Sequence, residues 1–264
     1  MLDFGNGKYL VLDDRGYIGK VQLRDLNSRE LKATSCDLKS YEARTLAKLS
    51  DNAVLVGLVD YLQVVYILDD KTVLLGPELK HDYKIINQIQ KCSQGDNAII
   101  AASNKGLIKF CIKDSSVISF VRKIKDGDFY SVFEYDEEKF ICSEWEKPGY
   151  WLYDQTTGKF ERIEDLDKGW HPFIVPLHGY SYNNFPYLVG RSYQHISLID
   201  VKGKKTYTLQ KSEHIYDYLQ KSIEVGYNPE TGELKLIYRE KGAKFFVKTY
   251  PKSFYENLKA ANSL

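Results

Sequence analysis

Short apolar runs parted by polar, glycine-bearing turns recur along this chain. Lys8-Tyr9-Leu10-Val11-Leu12 is followed by Ala53-Val54-Leu55, Ala98-Ile99-Ile100, Lys139-Phe140-Ile141-Cys142, Pro186-Tyr187-Leu188-Val189 and Leu234-Lys235-Leu236-Ile237. The runs begin at 8, 53, 98, 139, 186 and 234, so the unit is a little over forty residues long. One copy is nearly literal: Asp51-Asn52-Ala53-Val54-Leu55 returns as Asp96-Asn97-Ala98-Ile99-Ile100. Runs this short, rich in β-branched residues and bounded by glycine and asparagine, predict strands rather than helices. Fixed self-similarity at this period is the pattern of a repeat architecture, and four short strands fit in each unit.

The interior of each unit agrees. A turn follows the first run, as in Asp13-Asp14-Arg15-Gly16, Asn104-Lys105-Gly106 and Glu146-Lys147-Pro148-Gly149. A second strand then ends on an aspartate in five units, at Asp25, Asp69, Asp114, Asp154 and Asp200. An aspartate there can bond the backbone just beyond it and set the next turn. Innermost strands are read near 43–49, 85–91, 129–135, 173–177 and 223–227. The first unit shows none ahead of Lys8, and the last shows no outer strand beyond Tyr250. The expectation is an all-β fold, a β-propeller of about six four-stranded blades with both ends incomplete. Either the missing strands come from elsewhere in a longer protein, or residues 2–6 and the C-terminal tail pack across the gap. Residues 1–250 form the repeat domain and 251–264 a helical tail. In that tail Ser253 caps a helix whose Phe254, Leu258 and Ala261 share one face, which either covers the last blade or binds a partner.

The strand-terminal aspartates carry a resemblance. The chain looks like the WD-repeat propeller family, whose third strand ends in Trp-Asp before a polar turn. The resemblance runs from about Lys8 to Tyr250. The aspartate is kept at five positions, but the residue before it is Arg24, Leu68, Lys113, Tyr153 or Ile199, never tryptophan. The family's Gly-His dipeptide is nearly absent, with His81 and His171 at its equivalents, four residues before Ile85 and Val175. These departures put the family's intrablade hydrogen-bond network in doubt.

Aromatic residues are abundant, with 21 Tyr and 12 Phe, which suits half-buried pleated strands. All three tryptophans, Trp145, Trp151 and Trp170, fall within one short stretch. Trp145 sits where a strand runs into a turn, Trp170 and His171 in the loop before an inner strand, and Tyr193 in the next unit's turn. The family resemblance places those loop classes on one top face. Trp145, Trp170, His171 and Tyr193 are therefore the candidate partner-binding residues, since Trp and Tyr bury much area at low entropic cost. Lys202, Lys204 and Lys205 form a candidate anionic-ligand patch.

Lys plus Arg number 37 and Asp plus Glu 36, a balance that argues against nucleic acid as the main partner. Cys36, Cys92, Cys111 and Cys142 show no C-x-x-C spacing, and the last three read as small buried thiols beside apolar runs. No basic segment followed by an apolar stretch opens the chain and no apolar run is long enough to span a membrane, so a reducing cytoplasmic or nuclear setting is expected. The five histidines lack the i, i+4 pairing of a helical zinc site, and no G-x-S-x-G elbow occurs. No catalytic residue, metal ligand or cofactor site is assigned. The function expected is a non-catalytic scaffold that binds other proteins or peptides through its top face, within a larger protein or assembly. The alternative is a propeller hydrolase with a metal in its central channel.

Overall fold

The structure, a computed structural model, describes residues 2–5, 8–13, 20–25, 34–38, 42–69, 72–93, 98–113, 117–164, 166, 173–175, 177–178, 185–192, 195–211, 223–239 and 245–261. It is all-β with one short helix, and it divides into two compact units, Met1–Glu138 and Lys139–Leu264.

In the first unit, β1 (Leu2–Gly5), β2 (Lys8–Asp13), β3 (Lys20–Asp25) and β4 (Thr34–Asp37) form an antiparallel meander. The first sheet therefore has its inner strand: Leu2 pairs with Leu10 and Asp3 with Tyr9. Of the two arrangements expected at this end, residues 2–5 packing across the gap is the one observed.

A seven-stranded sheet follows, made of β5 (Thr45–Ser50), β6 (Ala53–Gly57), β7 (Val59–Asp69), β8 (Thr72–Lys91), β9 (Ala98–Ser103), β10 (Gly106–Lys113) and β11 (Val117–Lys125). It is two four-stranded layers sharing one long strand. β8 pairs with β7 from Thr72 to Lys80 and with β9 from Ile86 to Lys91. Asp60 and Lys84 take left-handed backbone angles (φ 60° and 59°) where β8 crosses from one layer to the next. Strand β12 (Phe129–Asp136) ends the unit.

β6 and β9 are buried at every residue, so both of their faces are covered. Alternation then sends successive side chains to opposite cores. Ala53 and Leu55 join Ile99, Ala101, Ile108 and Phe110 of the next layer. Val54 and Val56 join Leu10, Leu12, Val21 and Leu23 of the first sheet. Each fully buried Leu or Val contributes about 1.5–3 kcal/mol, so this stacking of layer on layer is the main support of the unit.

The second unit opens with an antiparallel meander of β13 (Lys139–Glu144), β14 (Gly149–Asp154) and β15 (Phe160–Arg162). β16 (Phe173–Val175), β18 (Leu188–Arg191), β19 (His195–Asp200) and β20 (Lys205–Lys211) form the next sheet, between whose first two strands β17 (Leu177–His178) intervenes in sequence. β17 instead runs parallel to β21 (Ile223–Asn228), which continues into β22 (Glu233–Arg239) and β23 (Phe245–Tyr250). The observed second strands end on Asp25, Asp69, Asp154 and Asp200 as read from sequence; Asp114 lies outside the described residues.

Two turns repeat one device. Asp154 accepts the Thr157 N–H (3.0 Å), and Gly158 (φ +73°) donates to the Asp154 carbonyl. Asn228 accepts from Glu230 and Thr231, and Gly232 (φ +68°) donates to the Asn228 carbonyl. An acceptor side chain at the strand end and a glycine four residues on, where φ is positive, make the same loop twice.

The tail helix α1 spans Lys252–Ala261. It starts before the expected Ser253 cap, with the Phe254 N–H bonded to the Pro251 carbonyl (2.9 Å). Its Tyr255 is buried and packs with Phe185 (ring centroids 5.4 Å) while Phe254 meets Tyr250 (5.0 Å) and Leu258 joins the same cluster. The helix thus covers the core of the second unit.

Candidate functional site

Trp145 heads the four-residue turn between β13 and β14, closed by the Glu144–Gly149 pair. It is half-buried, whereas Glu146, Lys147 and Pro148 are exposed. The turn is held from below. The Arg162 guanidinium donates to the Pro148 carbonyl (2.9 Å) and lies over Trp151 (5.9 Å), which stacks on Phe160 (5.0 Å). Tyr153 on the same strand is core. Ile163 donates to the Tyr150 carbonyl (2.9 Å), which brings the segment leaving β15 beside the Trp145 turn. That segment leads to Trp170 and His171. Both of those, and Tyr193, lie outside the described residues.

The first unit carries the same juxtaposition of a strand turn with the segment before an inner strand. Asn104, in the turn between β9 and β10, donates to Asp128 just ahead of β12 (2.7 Å). Beside them a Cβ on Gly106 would come 2.4 Å from the Lys125 carbonyl, so the backbones approach closely there. Sequence reasoning missed Asn104 and Asp128, since a polar pair across two loops leaves no local pattern. It also missed Arg191, a buried arginine at the end of β18 whose guanidinium lies over the Phe173 ring (5.4 Å).

Lys202 and Lys204 are exposed in the turn between β19 and β20, and Lys205 begins β20. This turn is at the far end of β19 from residue 193. Asp200 shares it, accepting the Gly203 N–H (2.7 Å). The three lysines therefore share their turn with a carboxylate, which offsets part of their charge toward an anion.

Inner strands β5, β8 and β12 are joined by side chains rather than by backbone ladders. Arg44 donates to Asn87 (3.1 Å), and Asn87 donates to the Phe129 carbonyl (2.9 Å). Thr45 Oγ1 accepts the Ile89 N–H and Gln88 Oε1 the Val132 N–H (both 3.2 Å). Lys91 donates to the Leu49 carbonyl, and Ser93 bonds the Glu134 carboxylate through both N–H and hydroxyl. Partners in these seven bonds stand 41 to 44 residues apart.

All four cysteines are thiols. Burial pushes Cys92 up to about 12 and raises Cys142 and Cys36, the opposite of the shift that activates a nucleophile. Cys92 and Cys142 are buried as expected, while Cys111 is only half-buried. His81 accepts the Tyr83 N–H at Nδ1 (3.2 Å), which leaves the proton on Nε2. It lies within β8 rather than in a loop, and burial lowers its pKa. Among the described residues, no three His, Cys, Asp or Glu side chains gather into a metal-binding group, and no helix is long and apolar enough to cross a membrane.

No family model matches the chain, and no curated protein matches it. Solved structures resemble it. A protein from Lactobacillus plantarum matches with a TM-score of 0.59 at 13% identity, over 94% of this chain and 82% of that one. A functionally unknown protein from Desulfotomaculum acetoxidans matches with a TM-score of 0.63 at 9% identity, over 93% and 83%. At such identities the likeness is one of fold.

Proposed function

We propose that this chain is a β-propeller of about six four-stranded blades, similar to the WD-repeat family, and that it serves as a non-catalytic scaffold. It binds other proteins or peptides through the loop face that carries Trp145. The observation that carries the propeller reading is the spacing of the side-chain bonds among β5, β8 and β12. Equivalent positions of three successive inner strands meet every 41 to 44 residues. Sheets stacked face to face with their first strands converging is the geometry of blades around an axis. The binding reading rests on Trp145, a large aromatic half-exposed at a loop tip whose turn Arg162 braces through the Pro148 carbonyl. A braced aromatic loses little entropy when a partner covers it.

The test is capture of partner proteins by the tagged chain, quantified against variants. Trp145→Ala with Trp170→Ala weakens a specific partner by about 2 kcal/mol, roughly thirty-fold. Lys202→Glu with Lys204→Glu, at the other class of turn, leaves that partner bound. Retention of every partner by the double tryptophan variant would overturn the assignment of this face.

A further inference from the structure

Each outer strand of a sheet presents unpaired N–H and C=O groups, and proteins blunt such edges to prevent pairing with other chains. Among the described residues, all but one are blunted. β4 has four residues and β15 three. The outer half of β8 carries Gly76 and Pro77 and slips register against β7. β11 slips twice against β10, leaving Val121 and Ile124 as extra residues. β20 slips once, at Leu209. β23 differs: its six residues pair with β22 without a register shift, and it contains no proline or glycine. Among the described residues, no strand pairs with its other edge. Its one charge, Lys248, is drawn sideways, with Nζ 2.9 Å from Gln210 Oε1 and 5.1 Å from the Tyr250 ring centroid. Val247 is 66% exposed and stands beside Ile237, itself 39% exposed, in an apolar pair on the sheet's outer face.

We propose that β23 pairs antiparallel with β23 of a second copy, forming a twofold homodimer through one continuous sheet. The sequence of the strand selects this occupant and its register. Only every second residue offers its N–H and C=O to the edge, so a symmetric antiparallel pair is centred on a residue. Centring on Lys248 sets two lysines directly opposite each other, which is repulsive. Centring on Phe246 pairs few residues of the strand. Centring on Val247 sets Val247 against Val247, Phe246 against Lys248 and Phe245 against Thr249, with no like charges opposed. The exposed row then runs Ile237, Val247, Val247, Ile237 across the two copies, and water is removed from four apolar side chains. Such an interface is isologous and closes on itself. A single strand pair is small, so the dimer is weak.

Sedimentation equilibrium of the full chain tests this, loaded from about 10 µM to about 1 mM. The weight-average mass is expected to rise from 30.5 kDa toward twice that value. Val247→Lys, at an exposed position, weakens association at least about tenfold while the circular-dichroism spectrum and melt are unchanged. Val247→Cys gives a disulfide-linked dimer on mild oxidation, whereas Lys248→Cys and the parent chain, with its four native thiols, do not. A chain that stays monomeric throughout overturns the proposal. So does a dimer that Val247→Lys leaves intact, or cross-linking through Lys248→Cys in place of Val247→Cys. None of these outcomes bears on the Trp145 face, which lies on other strands.

Discussion

Replacing Asn87 with leucine removes the link at the middle of the inner-strand suture. Its side chain is 1% exposed and works in both directions, accepting from Arg44 (3.1 Å) and donating to the Phe129 carbonyl (2.9 Å). Leucine nearly fills the volume but has neither group, so the Phe129 carbonyl loses this donor in a buried setting. That costs about 1–3 kcal/mol. The Arg44 side chain is a third exposed, so its guanidinium turns to water and its share falls to about 1 kcal/mol. The sum is about 2–4 kcal/mol, or roughly 5–15 °C in Tm for a chain of this length. Ser93→Ala, which removes an exposed hydroxyl from Glu134, costs less than about 1 kcal/mol. Urea unfolding followed by far-ultraviolet circular dichroism gives both values. Tryptophan emission recorded in parallel reports the second unit alone, because all three tryptophans lie beyond Glu138. If Asn87→Leu costs no more than Ser93→Ala, the inner strands are not held by this suture, and the radial reading loses its main support.

Gly57→Ala is expected to destabilise by about 1–3 kcal/mol, because its Cβ would stand 2.5 Å from Thr45 Cγ2 and 2.7 Å from Ile86 Cγ2. Gly226→Ala, where nothing lies within 4 Å, is expected to be neutral or slightly stabilising, and equal costs in chemical denaturation would refute the packing argument. His81 is held below its ordinary value of 6.5 by burial, so the unfolded chain takes up the proton first. Its contribution is fully present above pH 6.5 and is lost as pH falls from there toward the lowered folded value. His81→Asn keeps an acceptor for the Tyr83 N–H and abolishes the titration, so its Tm falls less than the parent's between about pH 7 and pH 5; coincident slopes would exclude His81 as the sensor.

The repeat was legible because it is written in apolar runs, and such runs must recur wherever layers stack. β6 and β9 are the clearest cases, since Asp51-Asn52-Ala53 and Asp96-Asn97-Ala98 announce the same turn and the same doubly buried strand. Aspartates at strand ends were legible for a second reason. Asp154 and Asp200 act on a backbone N–H three residues away, and so local a bond leaves its mark in the sequence. What was not legible depends on distance along the chain. Nothing near Asn104 names Asp128, and nothing near Asn87 names Arg44 or Phe129. The suture did leave one trace: Asn87 and Gln88 interrupt an apolar run, and such polar insertions need partners when buried.

Residues that obey the period and residues that break it answer to different constraints. A position repeated every forty-odd residues is set by the layer it builds, as Thr45 and Gln88 show by each binding the backbone of the next inner strand. Such positions describe the scaffold and carry no information about a partner. Trp145 breaks the period, for the corresponding turns hold Leu58, Asn104 and Ser192. Val247 breaks it in another way, standing exposed on a six-residue outer strand that keeps its register. Neither residue is set by the repeat. A half-exposed tryptophan and an unblunted apolar edge both keep apolar surface in water, so each gains when something covers it. That shared cost is the physical reason for seeking function at these two places rather than in the repeated geometry of the layers.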